Sequence, residues 1–83
     1  MARFKRRPVE IEARQLRSGA WQDIREWCKG CIIKDGNRYH AMHLSAHYGV
    51  MNALSNDWVI KDADGEFYSC KPDIFAKTYE LVE

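Results

Sequence analysis

Two cysteines and two histidines near the middle of the chain are the side chains best suited to chemistry. Cys28 and Cys31 are followed by His43 and His47, a spacing close to that of a tetrahedral zinc site, which can supply folding energy to a small domain. A zinc finger needs both histidines on one helical face, whereas residues 39–45 have the pattern of a strand. We therefore expect buried cysteines, surface histidines and no metal, and keep zinc binding by these four residues as an alternative.

The same cysteine pair also matches the Trp-Cys-x-x-Cys sequence of thiol-disulfide oxidoreductases. In those enzymes the first cysteine begins a helix, where backbone donors and the helix dipole stabilise its thiolate. Cys28 and Cys31 instead fall at the end of a predicted helix, and no βαβ pattern surrounds them. Cys70 has no base placed beside it by the sequence, so it too is better explained as a small apolar residue. We expect no catalytic residues, no cofactor and no enzyme activity.

A binding surface is the chemistry that the remaining residues favour. Aromatic rings next to cations can stack on bases or contact acidic partners. Most of the large aromatic residues are needed to fill the core of so small a chain, and tyrosines in the middle of the sequence are better placed for the surface. The candidate binding residues are Arg14, Arg17, Arg25, Lys29, Tyr39 and Tyr48.

The elements that must position these residues follow from hydrophobic periodicity. Residues 9–14 alternate between apolar and charged side chains, which is the period-two pattern of a strand with one wet face. Apolar residues then recur at helical spacing over residues 18–30. Ser18 is suited to the N-cap of that helix, and Gly30 to the left-handed position that follows its last turn. We expect one amphipathic helix lying across a sheet.

The rest of the chain has the composition of short strands separated by tight turns. Asp35-Gly36 and Asp64-Gly65 are turn signals, and Pro72 is suited to the first position of a short helix. The predicted strands cover residues 31–34, 38–45, 50–54, 58–61, 66–70 and 78–82. The element order predicts an α+β fold with a mostly antiparallel β-sheet, packed by one amphipathic helix (about 18–30) and a short helical turn (about 72–77).

The chain has 83 residues, enough for one domain (1–83) but close to the lower limit for a single hydrophobic core. Self-association into a homo-oligomer, for example a homodimer, therefore stays open. The odd number of cysteines, 3 in all, and the lack of an export signal favour reduced thiols in the cytoplasm. No apolar stretch approaches the ~20 residues that span a bilayer, so no membrane contact is expected.

Charge is unevenly distributed along the chain, although the formal net charge is only +1. Residues 1–17 hold six basic and two acidic side chains, and residues 1–7 form a basic N-terminal lead-in. From residue 55 onward the chain has seven acidic side chains and three lysines. Solvated ends are the simplest explanation, and contact of the basic end with nucleic acid or an acidic partner is the alternative.

Residues 6–15 (RRPVEIEARQ) and the ending over residues 57–80, with its motifs GEFY (65–68), CKPDIF (70–75) and TYE (78–80), are the most distinctive segments. Together they resemble a family of small phage and prophage proteins. Members tend to have Pro-Gly before the aspartate at position 57, Gly near position 62 and Pro before the cysteine at position 70. This chain has Ser55-Asn56, Asp62 and Ser69 there, which alters turns more than core. The resemblance implies a phage or prophage setting and a cytoplasmic site of action, and no catalytic residues.

These observations together favour a non-enzymatic phage accessory protein that binds a host or phage macromolecule. A host or phage protein is the expected partner, and host machinery or defence the expected target. One alternative is an oligomer that sequesters a small, nucleotide-type ligand at a subunit interface. A second is a zinc-dependent nucleic-acid binder, and a virion component also stays open.

Overall fold

The computed structural model describes Ala2 and residues 10–46 and 49–80. Within those ranges, two three-stranded antiparallel sheets and two short helices confirm the predicted α+β class. The elements in chain order are β1 (Glu12–Gln15), α1 (Trp21–Cys28), β2 (Cys31–Asp35), β3 (Arg38–Ala46), β4 (Gly49–Leu54), β5 (Trp58–Lys61), β6 (Phe67–Cys70) and α2 (Pro72–Thr78).

The strands form two sheets where the sequence suggested one. Sheet A has the order β1-β5-β6 and sheet B the order β2-β3-β4. The chain passes from sheet B to sheet A through the turn between β4 and β5, where Asn56 has a left-handed backbone (φ 72°). Leu16, just after β1, exchanges backbone hydrogen bonds with this turn, accepting from Asn56 N–H (2.8 Å) and donating to the Asp57 carbonyl (2.9 Å). β5 therefore pairs with β1 rather than folding back on β4.

Helix α1 is shorter than the predicted 18–30, and both predicted end residues were wrong. Ser18 lies in a turn closed by a hydrogen bond from Ala20 N–H to the Arg17 carbonyl (3.0 Å), so the helix begins after it. At the other end Lys29 (φ 57°), not Gly30, takes the left-handed position. Gly30 has a different purpose, because a Cβ there would lie 2.8 Å from the Met42 sulfur. The glycine lets the chain pass closely over β3.

The core lies where α1 and the facing sides of the two sheets meet. α1 contributes Trp21, Ile24 and Cys28, all buried on one face of the helix, as its apolar spacing predicts. The other buried members of this cluster are Leu16, Met42, Leu44, Ala53 and Val59. Trp27 and Phe67 pack against the cluster with their rings 5.0 Å apart and nearly perpendicular. Most predicted core aromatics are thus at least partly buried.

The second face of sheet A is covered by α2. The Phe75 ring stacks on the Trp58 ring at a centroid distance of 4.0 Å and also contacts Tyr79 at 5.0 Å. Pro72 begins the helix, as predicted, which extends to Thr78. The predicted last strand over 78–82 was therefore wrong at its start, since Thr78 is helical and residues 79–80 are not in a strand; residues 81–82 lie outside the described ranges.

The β2–β3 hairpin turns one residue later than predicted. Asp35 still pairs with Arg38, so the two turn residues are Gly36 and Asn37 rather than Asp35 and Gly36. Gly36 has φ 63°, the left-handed conformation that a tight hairpin turn needs. The other strands match their predicted ranges to within about three residues, and residue 9 of the predicted first strand lies outside the described ranges.

Sheet B has one face on the core and one face open. The alternation of the strands and their register place a row of cross-strand neighbours on the open side. We call it the outer face of sheet B; away from the hairpin turn it comprises Cys31, Ile33, Ala41, His43, Ser45, Val50, Asn52 and Leu54, and at the turn the same side continues with Asp35 and Arg38. The opposite, inner face carries Ile32, Met42, Leu44, Met51 and Ala53.

Candidate functional site

A bulge in β3 determines where Tyr39 points. Ile33 pairs with Ala41, but the next residue of β2, Lys34, pairs with Tyr39. One step along β2 therefore matches two steps along β3, and His40 is the extra residue. A bulge of this kind reverses the alternation of the strand beyond it, which brings the Tyr39 ring to the side of sheet B that carries α1.

Tyr39 is held in place from three directions. Its ring lies 5.7 Å from the Trp21 ring at an angle of 50°, and the Lys34 ammonium lies 5.6 Å from its centroid. Its hydroxyl accepts a hydrogen bond from Gln22 Nε2 (2.9 Å), and Arg25 Nε donates to Gln22 Oε1 (3.5 Å). The ring is nonetheless 37% exposed, so it is an ordered aromatic surface available to a partner.

Beside Tyr39 an open cleft of about 420 Å³ runs past the end of the hairpin. We call it the hairpin cleft; its lining residues are Asp35, Arg38, Tyr39, His40, Leu54 and Ser55. Arg38 and Asp35 both line the cleft, and the Lys34 ammonium lies over the ring of Tyr39. Two cations are therefore close to the cleft, compared with one carboxylate. Guanidinium, ammonium and hydroxyl groups around an exposed ring can bind a carboxylate or phosphate next to an apolar group.

Of the six predicted binding residues, Tyr39 lines the hairpin cleft and Arg25 is connected to it by hydrogen bonds. Arg25 and Tyr39 are linked through Gln22. Arg14 does not line the hairpin cleft. Its guanidinium lies 4.4 Å from the centre of the Trp27 ring and covers that ring.

The remaining predicted binding residues lie elsewhere. Arg17 donates a hydrogen bond to Gln15 Oε1 after β1. Lys29 is exposed at the end of α1. Tyr48 lies outside the described residues.

The predicted zinc ligands do not converge. Cys28 is buried in the core cluster, whereas Cys31 and His43 are paired neighbours on the outer face of sheet B. His47 lies outside the described residues. Among the residues that the structure describes, no group of three or more His, Cys, Asp or Glu side chains is arranged to hold a metal ion. The two thiols of the Cys-x-x-Cys sequence point to different sides of sheet B.

Two of the thiols are disfavoured as nucleophiles by their surroundings. Burial raises the pKa of Cys28, with backbone hydrogen bonds from Gly30 and Cys28 acting in the opposite direction. Burial also raises the pKa of Cys70, and the charges of Asp57 and Asp73 raise it further. Both therefore stay protonated near neutral pH, and only the thiolate is reactive. For Cys28 the main cause is burial rather than the position at the helix end.

Asp57 is the structural residue that sequence reasoning missed. It is buried, and its Oδ2 accepts hydrogen bonds from Leu54 N–H (2.9 Å) and Lys71 Nζ (2.9 Å). It closes the turn between the two sheets and fastens that turn to the start of α2. The available signal was an aspartate placed three residues after the last residue of a strand, where it can accept from the backbone.

The cationic cleft residues were missed as well. Lys34 and Arg38 flank the turn of the predicted hairpin, where Lys34 pairs with Tyr39 and Arg38 pairs with Asp35. A second, smaller cleft of about 280 Å³ beside β1 is lined by Glu10, Ile11, Glu12, Lys61 and Asp62. Its carboxylates outnumber its one cation, so it does not share the chemistry of the hairpin cleft.

No protein-family model, curated protein or solved structure matches this chain. None of the helices that the structure describes is long and apolar enough to cross a membrane. The chemistry of the described surface is therefore the basis for assigning a function.

Proposed function

We propose that this protein is a non-enzymatic phage accessory protein that binds a host or phage protein through the hairpin cleft. The observation that carries the proposal is the exposed ring of Tyr39, fixed between Trp21 and Lys34 at the edge of the cleft. An aromatic residue that is ordered before binding loses little conformational entropy when a partner covers it. Tyrosine and arginine are also the residues most enriched at interaction hot spots.

The charges around the cleft favour an acidic partner segment. Lys34 and Arg38 stand against the single carboxylate of Asp35, and Arg25 approaches from α1 through Gln22. Positive potential at a cleft steers negatively charged partners and suppresses basic ones. A carboxylate side chain beside an apolar residue would pair with Arg38 and pack on Tyr39.

A protein partner fits better than a sequestered small molecule. All six residues that line the hairpin cleft are exposed, whereas small-ligand sites bury most of the ligand surface. Nucleic acid is less favoured because the formal net charge is only +1 and strong phosphate binding needs many cations. The resemblance of residues 6–15 and 57–80 to phage and prophage proteins supports the setting, in the host cytoplasm.

The test is affinity capture from infected-cell lysate with charge-matched variants. Arg38→Glu reverses a charge in the cleft, and Lys77→Glu makes the same change on the exposed surface of α2. We expect wild type and Lys77→Glu to retain the same protein, and Arg38→Glu to lose it by about tenfold or more, as for a charged hot spot. Equal capture by all three, with circular dichroism showing them folded, would refute binding through the cleft.

A further inference from the structure

The outer face of sheet B carries formal charge only at the hairpin turn, where Asp35 pairs with Arg38. The eight members away from the turn include no Asp, Glu, Lys or Arg, in a chain whose residues are 30% charged. Three large apolar side chains are exposed on it: Ile33 (37%), Leu54 (40%) and Val50 (63%). A surface of this kind suits a partner that presents the same surface, because a two-fold axis brings like residues together and like charges would repel.

A row of three polar groups crosses the middle of this face. Cys31 pairs with His43 across β2 and β3, and His43 pairs with Asn52 across β3 and β4. His43 Nδ1 lies 3.0 Å from Asn52 Oδ1. An amide oxygen can only accept a hydrogen bond, so in the tautomer of His43 that donates Nδ1–H to Asn52, Nε2 keeps its lone pair and can bind a metal.

This geometry matches half of a metal site. A histidine that binds a metal through one ring nitrogen usually donates the other N–H to an oxygen, which fixes its tautomer and orientation. Directly opposed cross-strand residues have Cβ atoms about 4.5–5.5 Å apart, which lets a thiolate and an imidazole reach one ion at about 2.3 and 2.0 Å. Cys31 is exposed and forms no disulfide.

We propose that Cys31 and His43 form one half of a tetrahedral zinc site, which a second copy of the chain completes across the outer face of sheet B. Two copies related by a two-fold axis supply two thiolates and two imidazoles, a ligand set that selects zinc. Binding releases the thiol protons to solvent and leaves the metal oxidation state unchanged. Ile33, Leu54 and Val50 then become buried between the two sheets.

The incomplete ligand set and the apolar surface favour a second copy of the chain as the partner on this face. A half-site with two ligands is incomplete, and an identical face brings the two that are missing. Away from the hairpin turn the face carries no charge that would oppose its own copy, and a domain of this size gains stability from dimerisation. Cys28 takes no part, because it lies in the core on the other side of the sheet.

The test is a titration of the reduced full-length protein with Zn²⁺ alone, followed by sedimentation velocity and native mass spectrometry. We expect a dimer with one zinc ion per two chains, reversed by a chelator. Co²⁺ in place of Zn²⁺ should give the absorption of a tetrahedral, thiolate-bound ion. Cys31→Ser and His43→Ala should each abolish the metal-dependent dimer, and Asn52→Ala should weaken metal binding roughly 10–100-fold.

A matched control separates this site from general metal binding. Cys70→Ser removes a thiol outside the row and should dimerise with zinc as wild type does. The proposal is overturned by any of three results: zinc-dependent dimers that persist in Cys31→Ser, one zinc ion bound per monomer, or no effect of zinc on the wild-type mass. Circular dichroism of each variant shows whether a loss reflects unfolding.

Discussion

Sheet A and sheet B are both three-stranded and antiparallel, yet they differ in what covers them. In β5 of sheet A the consecutive residues Val59 and Ile60 point to opposite faces, and both are fully buried. In β3 of sheet B Met42 is fully buried, while His43, the next residue, is only partly buried on the outer face. A sheet covered on both faces offers little free surface, whereas the outer face of sheet B exposes Ile33, Val50 and Leu54.

The segments with distinctive sequence motifs and the segments with exposed surface lie in different parts of the molecule. The distinctive motifs over residues 57–80 form β5, β6 and α2, whose aromatic rings stack on one another around sheet A. The middle of the chain, over residues 31–55, has no such motifs but forms the hairpin cleft and the outer face of sheet B. The most distinctive motifs of the sequence therefore belong to the sheet that is covered on both faces.

Replacing one isoleucine in each sheet should give the largest difference. Ile60→Ala in sheet A leaves a cavity at a fully buried position and should lower the free energy of unfolding by about 3–4 kcal/mol. Ile33→Ala on the outer face of sheet B should cost about 1 kcal/mol or less, because the side chain is already part-exposed. Urea denaturation of the two variants measures both values. Equal losses would mean that the outer face is covered in solution.

Asp57→Ala tests the turn that joins the two sheets. It removes the carboxylate that accepts from Leu54 N–H and Lys71 Nζ, and should cost about 2–3 kcal/mol, since bonds to a charged, buried acceptor are lost. Asp64→Ala, at an exposed turn position in sheet A, is the control and should change stability by less than about 0.5 kcal/mol. If thermal unfolding of both variants were the same, Asp57 would not fasten the sheets.

Gly30→Ala sharpens the comparison by probing the inner face of sheet B. The added methyl would lie 2.8 Å from the Met42 sulfur and 3.0 Å from the His43 carbonyl oxygen. Such overpacking should lower the free energy of unfolding, measured by chemical denaturation, by about 1–3 kcal/mol. That loss would show that the inner face of sheet B is tightly packed. Ser45→Ala on the outer face is the matched change and should be nearly neutral. A neutral Gly30→Ala would instead mean that α1 is free to move away from β3.

Lys29→Gly should have the smallest effect and the opposite sign. Lys29 has a left-handed backbone (φ 57°), which costs an L-residue about 1 kcal/mol and glycine almost nothing. We expect the melting temperature to rise, with a gain of about 0.5–1 kcal/mol after the extra entropy of the unfolded glycine is counted. Lys29→Ala keeps the strained conformation and should give no gain. Loss of stability in Lys29→Gly would show that the lysine side chain makes a needed contact.

Local patterns predicted most of the elements, since alternation and turn residues act over a few positions. They failed at Ser18, where a local turn closed between Arg17 and Ala20 delays the start of the helix, and at Gly30 and Thr78. Position 30 needs a glycine because the Met42 side chain of β3 lies within contact distance. A rule for helix ends considers only neighbouring residues, so it cannot predict a contact with a residue twelve positions away. Thr78 stays helical because α2 continues over sheet A.

The candidate site was less predictable for the same reason. Tyr39 and Arg25 were predicted as surface residues, but only the bulge at His40 turns the tyrosine towards α1. The contact of the Arg14 guanidinium with the Trp27 ring was not predicted from the sequence. The pairing of Cys31 with His43 depends on strand register, which the later turn at Gly36-Asn37 and the bulge at His40 determine together.

Site-specific photo-crosslinking tests the central claim most directly, because it reports which sheet a partner touches. A benzophenone amino acid replaces Tyr39 at the hairpin cleft in one variant and Ile74, which is 54% exposed on α2, in the other. In infected cells the probe at position 39 should give one defined protein adduct that excess wild-type protein suppresses, and the probe at position 74 should give none. A specific adduct at position 74 with none at position 39 would contradict the account, since the covered sheet would then carry the partner.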